Sequence, residues 1–186
     1  MPDRYVEQIL NGDKEAFRHI IQNCKDGAYN LAFSILKEEH ASKDAVQKAF
    51  IKAYQQLSAF RGESAFKTWF HRIVVNEALQ MKRKRKNADL YMGTFDEKLR
   101  AIPADAHEQA ERNHLQFCVD AALNRLKSDE SLSLKLFYLE GHTIDEVAGI
   151  TGWSVSKTKV TLHRARKSIK VLLHKMDHLN IEIDDV

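Results

Sequence analysis

Apolar residues recur at helical spacing along most of the chain, and this pattern predicts its main elements. Two helices have predicted N-caps, one at Asp13 and the other at Ser42. The apolar face of the first carries Ala16, Phe17, Ile20 and Ile21. The inward-facing positions of the second are Ala45, Ala49, Ile51, Tyr54 and Leu57. A third helical stretch runs from Ala65 to Lys86, and the pattern as a whole predicts an all-α protein.

The helical pattern lapses once, between residues 87 and 110, where Gly93, Pro103 and mixed charges interrupt it. It resumes after this stretch, so we expect two small helical domains joined by a flexible linker. The predicted segments are a first domain at 1–86, an acidic linker at 87–113, a second domain at 114–178 and a tail at 179–186.

Cysteine use and hydropathy indicate where the protein works. Cys24 and Cys118 lie in apolar helical surroundings without CxxC spacing, which favours packed thiols over a disulfide. The N-terminus lacks the features of a signal peptide, and no apolar run approaches 18 residues. We therefore expect a cytoplasmic protein that does not insert directly into a membrane.

The sequence shows no clear set of catalytic residues. There is no convincing nucleophile–base set and no glycine loop of the phosphate-binding kind. The nine histidines are scattered without the spacing of metal ligands. We therefore expect a protein that is not an enzyme and that uses neither a metal nor a cofactor.

The net charge of +3 is modest, but the charges are unevenly distributed. Residues 71–86 carry six lysines and arginines against one acid, and five of these cations are consecutive, from Lys82 to Lys86. Residues 153–175 carry seven lysines and arginines and no acid, whereas the linker carries six acids against three. Two basic stripes separated by an acidic segment indicate two contacts with a polyanion.

The second basic stripe follows the signature of a helix-turn-helix. Thr143 and Glu146 have the spacing of a capping box, and Ala148 and Gly152 are four residues apart, as a small crossing residue and a tight turn require. A helix starting near Ser154 then carries cations suited to the walls of the DNA major groove. The alternative is a solvated basic helix in an ordinary bundle.

A loop precedes the first basic stripe, and the segment from Phe60 to Asn76 carries four aromatic residues, Phe60, Phe66, Trp69 and Phe70. Aromatic faces beside cations suit unstacked bases beside phosphates. Trp69 and Phe70 are expected mainly to pack in the core, whereas Phe60 and the polar loop groups are candidates for base contact. The spacing leaves both interpretations of this segment open. Five consecutive cations at 82–86 favour phosphate contact, and the alternative is a solvated helix end.

Several motifs together resemble the bacterial sigma factors of the extracytoplasmic-function type, in the sigma-70 family. Gly12-Asp13 with Ala16-Phe17 and Asp44-Ala45-Val46-Gln47 with Phe50 resemble the second sigma region. The most specific match is Phe60-Arg61-Gly62, then Phe66-Lys67-Thr68-Trp69, Arg72-Ile73 and Asn76. The fourth region is represented by Glu140-Gly141, Glu146-Val147-Ala148 and the run from Leu162 to Arg166.

The resemblance implies a sigma factor that directs RNA polymerase core to specific promoters and aids opening of the −10 element. The residues it implies for core binding are Asp44, Gln47 and Phe50. Those for the single-stranded −10 element are Phe60, Arg61, Ser64, Asn76, Lys82 and Arg83. Those for the duplex −35 element are Lys157, Lys159, Val160, His163 and Arg164. The resemblance also implies an anti-sigma factor as a partner, without giving its identity.

Some positions depart from the family pattern. Lys48 stands where an acid is common, Lys127 follows Leu126 in place of proline, and the recognition helix opens with Ser156-Lys157-Thr158. These changes affect the −35 preference rather than the fold. Two alternatives stay open: a helix-turn-helix regulator acting without polymerase, and an α-helical protein whose basic faces bind acidic proteins. Neither the promoter nor the inducing signal follows from the sequence.

Overall fold

A computed structural model describes the backbone of residues 2–92 and 112–181, and the side chains of 4–87 and 117–175. Every regular element in these ranges is helical, as expected. The N-terminal domain contains α1 (Pro2–Leu10), α2 (Ala16–Leu36), α3 (Glu39–Gln56), a 3₁₀ turn (Leu57–Ala59) and α4 (Phe66–Met92). The C-terminal domain contains α5 (Arg112–Arg125), α6 (Ser128–Leu134), a π-helical turn (Lys135–Leu139), α7 (Ile144–Thr151) and α8 (Val155–Ile181).

The helix starts differ from the predicted caps. Helix α2 begins at Ala16, and Asp13 accepts a hydrogen bond from the Glu15 N–H at 3.1 Å in the turn before it. Helix α3 begins earlier than predicted because the Glu38 carboxylate accepts from the backbone N–H groups of His40 and Ala41. The Ser42 cap is therefore wrong. Its buried hydroxyl lies inside α3 and donates to the Glu38 carbonyl at 2.6 Å.

The inward stripe of α3 is narrower than predicted. Ala45, Ala49 and Leu57 are buried, and they are joined on the same face by Ala53. Ile51 and Tyr54 are instead 51% and 41% exposed, and Ile21 of α2 is 37% exposed. The small alanine side chains let α3 pack close to α2 and α4. The larger Ile51 and Tyr54, at the edge of the buried face of α3, are therefore left outside the core.

Two boundaries fall elsewhere than the apolar pattern indicates. Helix α4 continues to Met92, past the predicted domain end at residue 86, and α5 starts at Arg112. Lys, Arg, Ala and Leu are good helix formers, so a helix can continue where its packing face ends. The break between α5 and α6 is short, since α6 already starts at Ser128. Most of the predicted linker, residues 93–111, lies outside the described residues.

The two domains pack against each other along a surface that we call the seam, where α6 and α7 meet α2 and α4. Four apolar residues of the C-terminal domain belong to the same buried cluster as the N-terminal core. They are Leu132, Leu136, Val147 and Ile150. A second, smaller cluster holds α8 against α5 and α6 through Leu123, Leu126, Leu134, Leu162 and Ala165.

Two lysines fasten the seam through backbone carbonyls. The Lys37 Nζ donates to the Asn124 carbonyl at 2.9 Å, at the C-terminal end of α5, where a cation suits the helix dipole. Lys135 is 4% exposed, and its Nζ donates to the Asn30 carbonyl of α2 at 3.2 Å. Burial lowers the pKa of both side chains to about 8.

Candidate DNA and polymerase interface

The helix-turn-helix predicted from the sequence is present in the C-terminal domain. The Thr143 hydroxyl accepts from the Glu146 N–H at 3.2 Å, and the Glu146 carboxylate accepts from the Thr143 N–H at 2.9 Å. This capping box starts α7. Gly152 ends it with φ of 72°, a left-handed conformation that glycine adopts without strain, and its N–H donates to the Ala148 carbonyl. The chain then turns directly into α8.

Helix α8 presents one face to the core and the other to solvent. Thr158, Leu162 and Ala165 are buried, at 2% exposure or less. The residues expected at the −35 element are all exposed: Lys157, Lys159, Val160, His163 and Arg164. Val160 is an exposed apolar side chain among cations, at 49%. The helix therefore offers hydrogen-bond donors, positive charge and an apolar contact on one accessible surface.

Two cations of α8 already have partners within the protein. Arg166 donates from Nε to the Tyr138 hydroxyl at 2.8 Å, and its guanidinium lies 5.6 Å from the centre of the same ring. Lys157 lies 4.5 Å above the Trp153 ring and 3.7 Å from the Asp129 carboxylate. Arg166 thus has a structural role near the middle of α8, whereas Lys157 is held at the end nearest the turn.

The loop before α4 combines packed and exposed groups. Phe66 and Phe70 are fully buried, and Trp69 is half-buried against the core, so the packing expected for Trp69 and Phe70 is confirmed. Phe60 is also half-buried, with its ring centre 5.2 Å from that of Trp69. Arg61 and Ser64, in contrast, are exposed in the loop, so Phe60 offers only part of its ring to a base.

Asn76 is exposed on α4, but it does not lie beside the loop. It follows Phe66 by ten residues, which corresponds to about 15 Å along the helix. Asn76 and the exposed loop residues therefore lie at different levels along α4.

The cation cluster at 82–86 is exposed and partly engaged. The Lys82 Nζ donates to the Ser128 hydroxyl at 2.8 Å, across the seam. Arg85 lies 3.0 Å from the Glu38 carboxylate, whose pKa is lowered first by the Ala41 N–H and also by Arg85. Of the two residues expected to contact DNA here, Arg83 extends into solvent, whereas Lys82 must leave Ser128 to do so.

The residues expected to bind polymerase core lie beside an apolar groove. Asp44 and Gln47 are exposed on α3, whereas Phe50 is only 8% exposed and stacks on Phe70 at 4.7 Å. The groove between α2 and α3 has a volume of about 690 Å³. Its lining includes Phe17, Ile21, Tyr29, Gln47, Ile51 and Tyr54.

Sequence reasoning missed the groove because Ile51 and Tyr54 share the helical periodicity of core residues. Gln47, Ile51 and Tyr54 are spaced four and three residues apart, so they lie on one face of α3. The position of Ile51 and Tyr54 on the same face as Gln47, a polar residue expected to bind core, could have indicated the groove.

The sequence analysis also missed a polar cluster at the seam, formed by His71 and Lys67 of α4 with Glu140 and His142 from the other domain.

Among the described side chains, no group of three or more histidine, cysteine, aspartate or glutamate residues could hold a metal ion. None of the helices within residues 2–92 and 112–181 has the length and apolar character needed to cross a membrane.

Comparison with known proteins agrees with the two-domain division. The model of sigma-70 region 2 matches residues 20–88, and that of sigma-70 region 4 matches residues 116–169. The sigma-E factor of Haemophilus influenzae, an ECF RNA polymerase sigma factor, is 30% identical over 177 residues, with 89% of this chain and 91% of the relative covered. The RNA polymerase sigma-H factor of Pseudomonas aeruginosa is 28% identical over 182 residues, with coverage of 92% and 93%.

A solved structure shares the fold. It is the sigma factor RpoE in complex with the anti-sigma factor NepR, from Bartonella quintana, with a TM-score of 0.68 and 24% identity. The match covers 85% of this chain and 96% of that chain. From the two region models and the full-length relatives, the chain belongs to the extracytoplasmic-function sigma factors of the sigma-70 family.

Proposed function

We propose that this sigma factor directs RNA polymerase core to promoters by using three separate surfaces of the chain. The exposed face of α8 reads the −35 element as duplex, the loop and α4 contact the −10 strand, and the groove beside Asp44 and Gln47 binds core. The relatives named as RNA polymerase sigma factors support the overall role. The observation that carries the residue assignments is the solvent-facing surface of α8 in a complete helix-turn-helix.

The chemistry of α8 suits a major groove. Lysine and arginine neutralise phosphates, arginine can bind guanine through two hydrogen bonds, and an exposed valine can contact a thymine methyl group. Lys159 and His163 lie on the same exposed surface as Arg164 and Val160. The five residues thus combine positioning by phosphate contact with readout of base edges.

The −10 assignments rest on aromatic and amide chemistry. The exposed part of Phe60 can stack on an unpaired base, and Asn76 can both donate to and accept from a base edge. Arg61, Ser64 and Arg83 are exposed along the same stretch. Because Asn76 lies about 15 Å from the loop along the axis of α4, we assign it to a different nucleotide from Phe60 and Ser64.

Core binding combines polar specificity with apolar burial. Gln47 lines a groove whose exposed apolar side chains include Ile51 and Tyr54, and Asp44 lies exposed three residues before Gln47 on α3. Exposed apolar surface of this kind on a soluble domain is characteristic of protein interaction sites. Phe50 lines the groove as a largely buried ring that is stacked on Phe70, so it would contribute apolar surface at the floor of the site.

Partners beyond polymerase are suggested by the solved relatives. The sigma factor RpoE was solved with the anti-sigma factor NepR, and CnrH was solved with the cytosolic domain of CnrY. We assign an anti-sigma factor to this chain as well. The proposed role is not catalytic, needs no cofactor and belongs to the cytoplasm, where polymerase and the chromosome meet.

Transcription with purified core polymerase on a genomic DNA library tests this function. Addition of the chain should produce discrete start sites that core alone does not produce. Duplex binding by the isolated chain should be weaker than binding by its complex with core. A chain that binds duplex DNA tightly by itself and adds no start sites would instead be a helix-turn-helix regulator.

A further inference from the structure

A pair of buried histidines joins the two domains at the seam. His71 of α4 is 1% exposed, and His142, just before α7, is 5% exposed. The Nδ1 of His71 lies 2.8 Å from the Nε2 of His142, which is a hydrogen-bond distance. The two residues are 71 positions apart in sequence, so this contact exists only while the domains are packed together.

The hydrogen bond between the two rings limits how many protons the pair can hold. One ring nitrogen must donate and the other must accept, and only a neutral imidazole has an accepting nitrogen. Two imidazolium rings at this distance would lose the bond and place like charges against each other. The closed seam therefore excludes the doubly protonated pair, whereas each ring is free to protonate once the domains separate.

The charged groups around the pair come from both domains. Lys67 of α4 forms an ion pair with Glu140 at 2.9 Å, and that carboxylate lies 3.7 Å from the Nε2 of His71. Glu146 of α7 lies 3.8 Å from the Nδ1 of His142. From α2, the neighbouring titratable group is Cys24, and burial raises the pKa of its thiol to about 11, so it stays neutral.

The two carboxylates are already engaged, which limits their support for a histidine cation. Glu140 is bound by Lys67, and Glu146 accepts from the Thr68 hydroxyl at 3.0 Å and from the capping-box groups of Thr143. Glu140 also sits tightly against α2, because a Cβ on Gly27 would approach its Oε1 to 2.8 Å.

We propose that the seam is a proton-sensitive latch: the His71–His142 pair helps to hold the two domains together while it is neutral, and its protonation shifts the equilibrium toward separated domains. Each domain has buried apolar packing outside the seam, among α1 to α4 in one and around α8 in the other, although separation would expose the four C-terminal residues that share the first cluster. The response concerns the free chain and stands apart from promoter recognition. Only its consequence for transcription rests on the proposed function.

The direction of the response follows from the environment of the rings. Burial lowers the pKa of His71 to about 3, helped by His142 and Lys67, and burial also lowers the pKa of His142 against the opposing effect of Glu146. The separated state, with histidine pKa values near 6.5, then binds more protons than the closed state. Closure is favoured above about pH 6.5 and weakens as the pH falls below it.

The size of the response follows from the same values. Between pH 7.5 and 5.5, a histidine that stays neutral when closed and titrates near 6.5 when open raises the open-to-closed ratio about tenfold. His71 supplies this factor. A contribution from His142 raises the total toward about a hundredfold, if its ring also stays neutral in the closed state.

A thiol placed in the seam can report opening even when the open state is rare. Ser131 is fully buried on α6, between Ser128 and Lys135, which donate to carbonyls of α2 at Ile35 and Asn30. In a full-length Ser131→Cys variant, the reaction rate with a dithiodipyridine reagent is measured at pH 7.5 and 5.5. Each rate is divided by that of the same protein unfolded in urea, and peptide mass spectrometry separates the native cysteines.

The normalised rate should rise about tenfold to a hundredfold on acidification. The combined His71→Gln and His142→Gln changes should remove this rise, whereas His40→Gln, at an exposed histidine of α3, should leave it unchanged. Equal rises in all three backgrounds, or no rise with the native histidines, would overturn the latch. If the double variant loses its helical circular dichroism, the single His71→Gln variant provides the test. Its rise in normalised reaction rate on acidification should be about tenfold smaller than that of the protein with native histidines.

General unfolding is distinguished by a second reporter. Ala53 is fully buried on α3, which packs on α2, α4 and the 3₁₀ turn rather than across the seam. An Ala53→Cys thiol should keep its normalised rate between pH 7.5 and 5.5. A parallel rise at this site would mean that the whole chain unfolds, and that result would also overturn the latch.

Discussion

Arg164 and Arg166 offer a matched test of the DNA-facing surface of α8. They are two residues apart on one helix, and truncation of either to alanine removes the same charge. Arg166 is bound to Tyr138 by a hydrogen bond of 2.8 Å and by a ring contact, whereas Arg164 is exposed on the surface assigned to the −35 element. The two variants should therefore lose different properties.

Arg164→Ala should mainly weaken promoter binding, whereas Arg166→Ala should mainly lower the stability of the fold. Arg164→Ala should change the free energy of unfolding by no more than about 0.5 kcal/mol, as is usual for an exposed side chain. Loss of a bidentate base contact should weaken promoter binding by about 1–3 kcal/mol, which is about 5- to 150-fold. Arg166→Ala should lose about 1 kcal/mol of stability through Tyr138 and keep most of its promoter affinity.

Fluorescence anisotropy of the polymerase complex on labelled promoter duplexes, repeated over a salt series, separates base from phosphate contact. A base contact by Arg164 would be lost at one position of the −35 element. A phosphate contact would weaken all sequences alike and reduce the salt slope by about one. The reasoning is refuted if Arg164→Ala keeps both affinity and salt slope, or if Arg166→Ala weakens binding more than Arg164→Ala does.

Three further predictions concern the remaining surfaces. Asp44→Ala with Gln47→Ala should weaken capture of core polymerase in a pull-down while the melting curve stays unchanged; unaltered capture by the folded variant would remove the core assignment. Asn76→Ala should reduce permanganate reactivity of the −10 strand while core binding survives; a parallel loss of thermal stability would favour a structural role. Thr143→Ala should lower the unfolding free energy by about 1 kcal/mol through loss of the capping box with Glu146, measured by urea denaturation, and an unchanged midpoint would contradict that estimate.

Features set by neighbouring residues were predictable from the sequence. The capping box at Thr143 and the left-handed turn at Gly152 depend on residues within four positions, and both are present as expected. The start of α3 was not predicted, because Glu38 takes the capping role that Ser, Thr, Asp or Asn more often fills. A rare cap residue leaves no distinctive signal in a single sequence.

The groove between α2 and α3 and the seam between the domains could not be predicted from helical periodicity. A helical pattern identifies which residues share a face, but it does not distinguish a face covered by the same chain from one awaiting a partner. Ile51 and Tyr54 show this limit, since both follow the spacing of core residues and both are largely exposed. The contact between His71 and His142 depends on packing across 71 positions, for which local pattern carries no information.

The packed arrangement of the domains has a geometric consequence for promoter binding. A compact chain of 186 residues has a radius of gyration of about 16 Å, so it is about 40 Å across. The numbering of the −35 and −10 elements puts them about 25 base pairs apart, which is about 85 Å of duplex at 3.4 Å per pair. A closed chain of this size is shorter than that distance, so the proposed binding of α8 and α4 to one promoter requires the seam to open. Only open chains can bind both elements, so the apparent promoter affinity is proportional to the open fraction. Any group that stabilises the seam lowers that fraction and with it the apparent affinity. The neutral His71–His142 pair is such a group, so seam stability and promoter affinity should change in opposite directions wherever the closed form predominates.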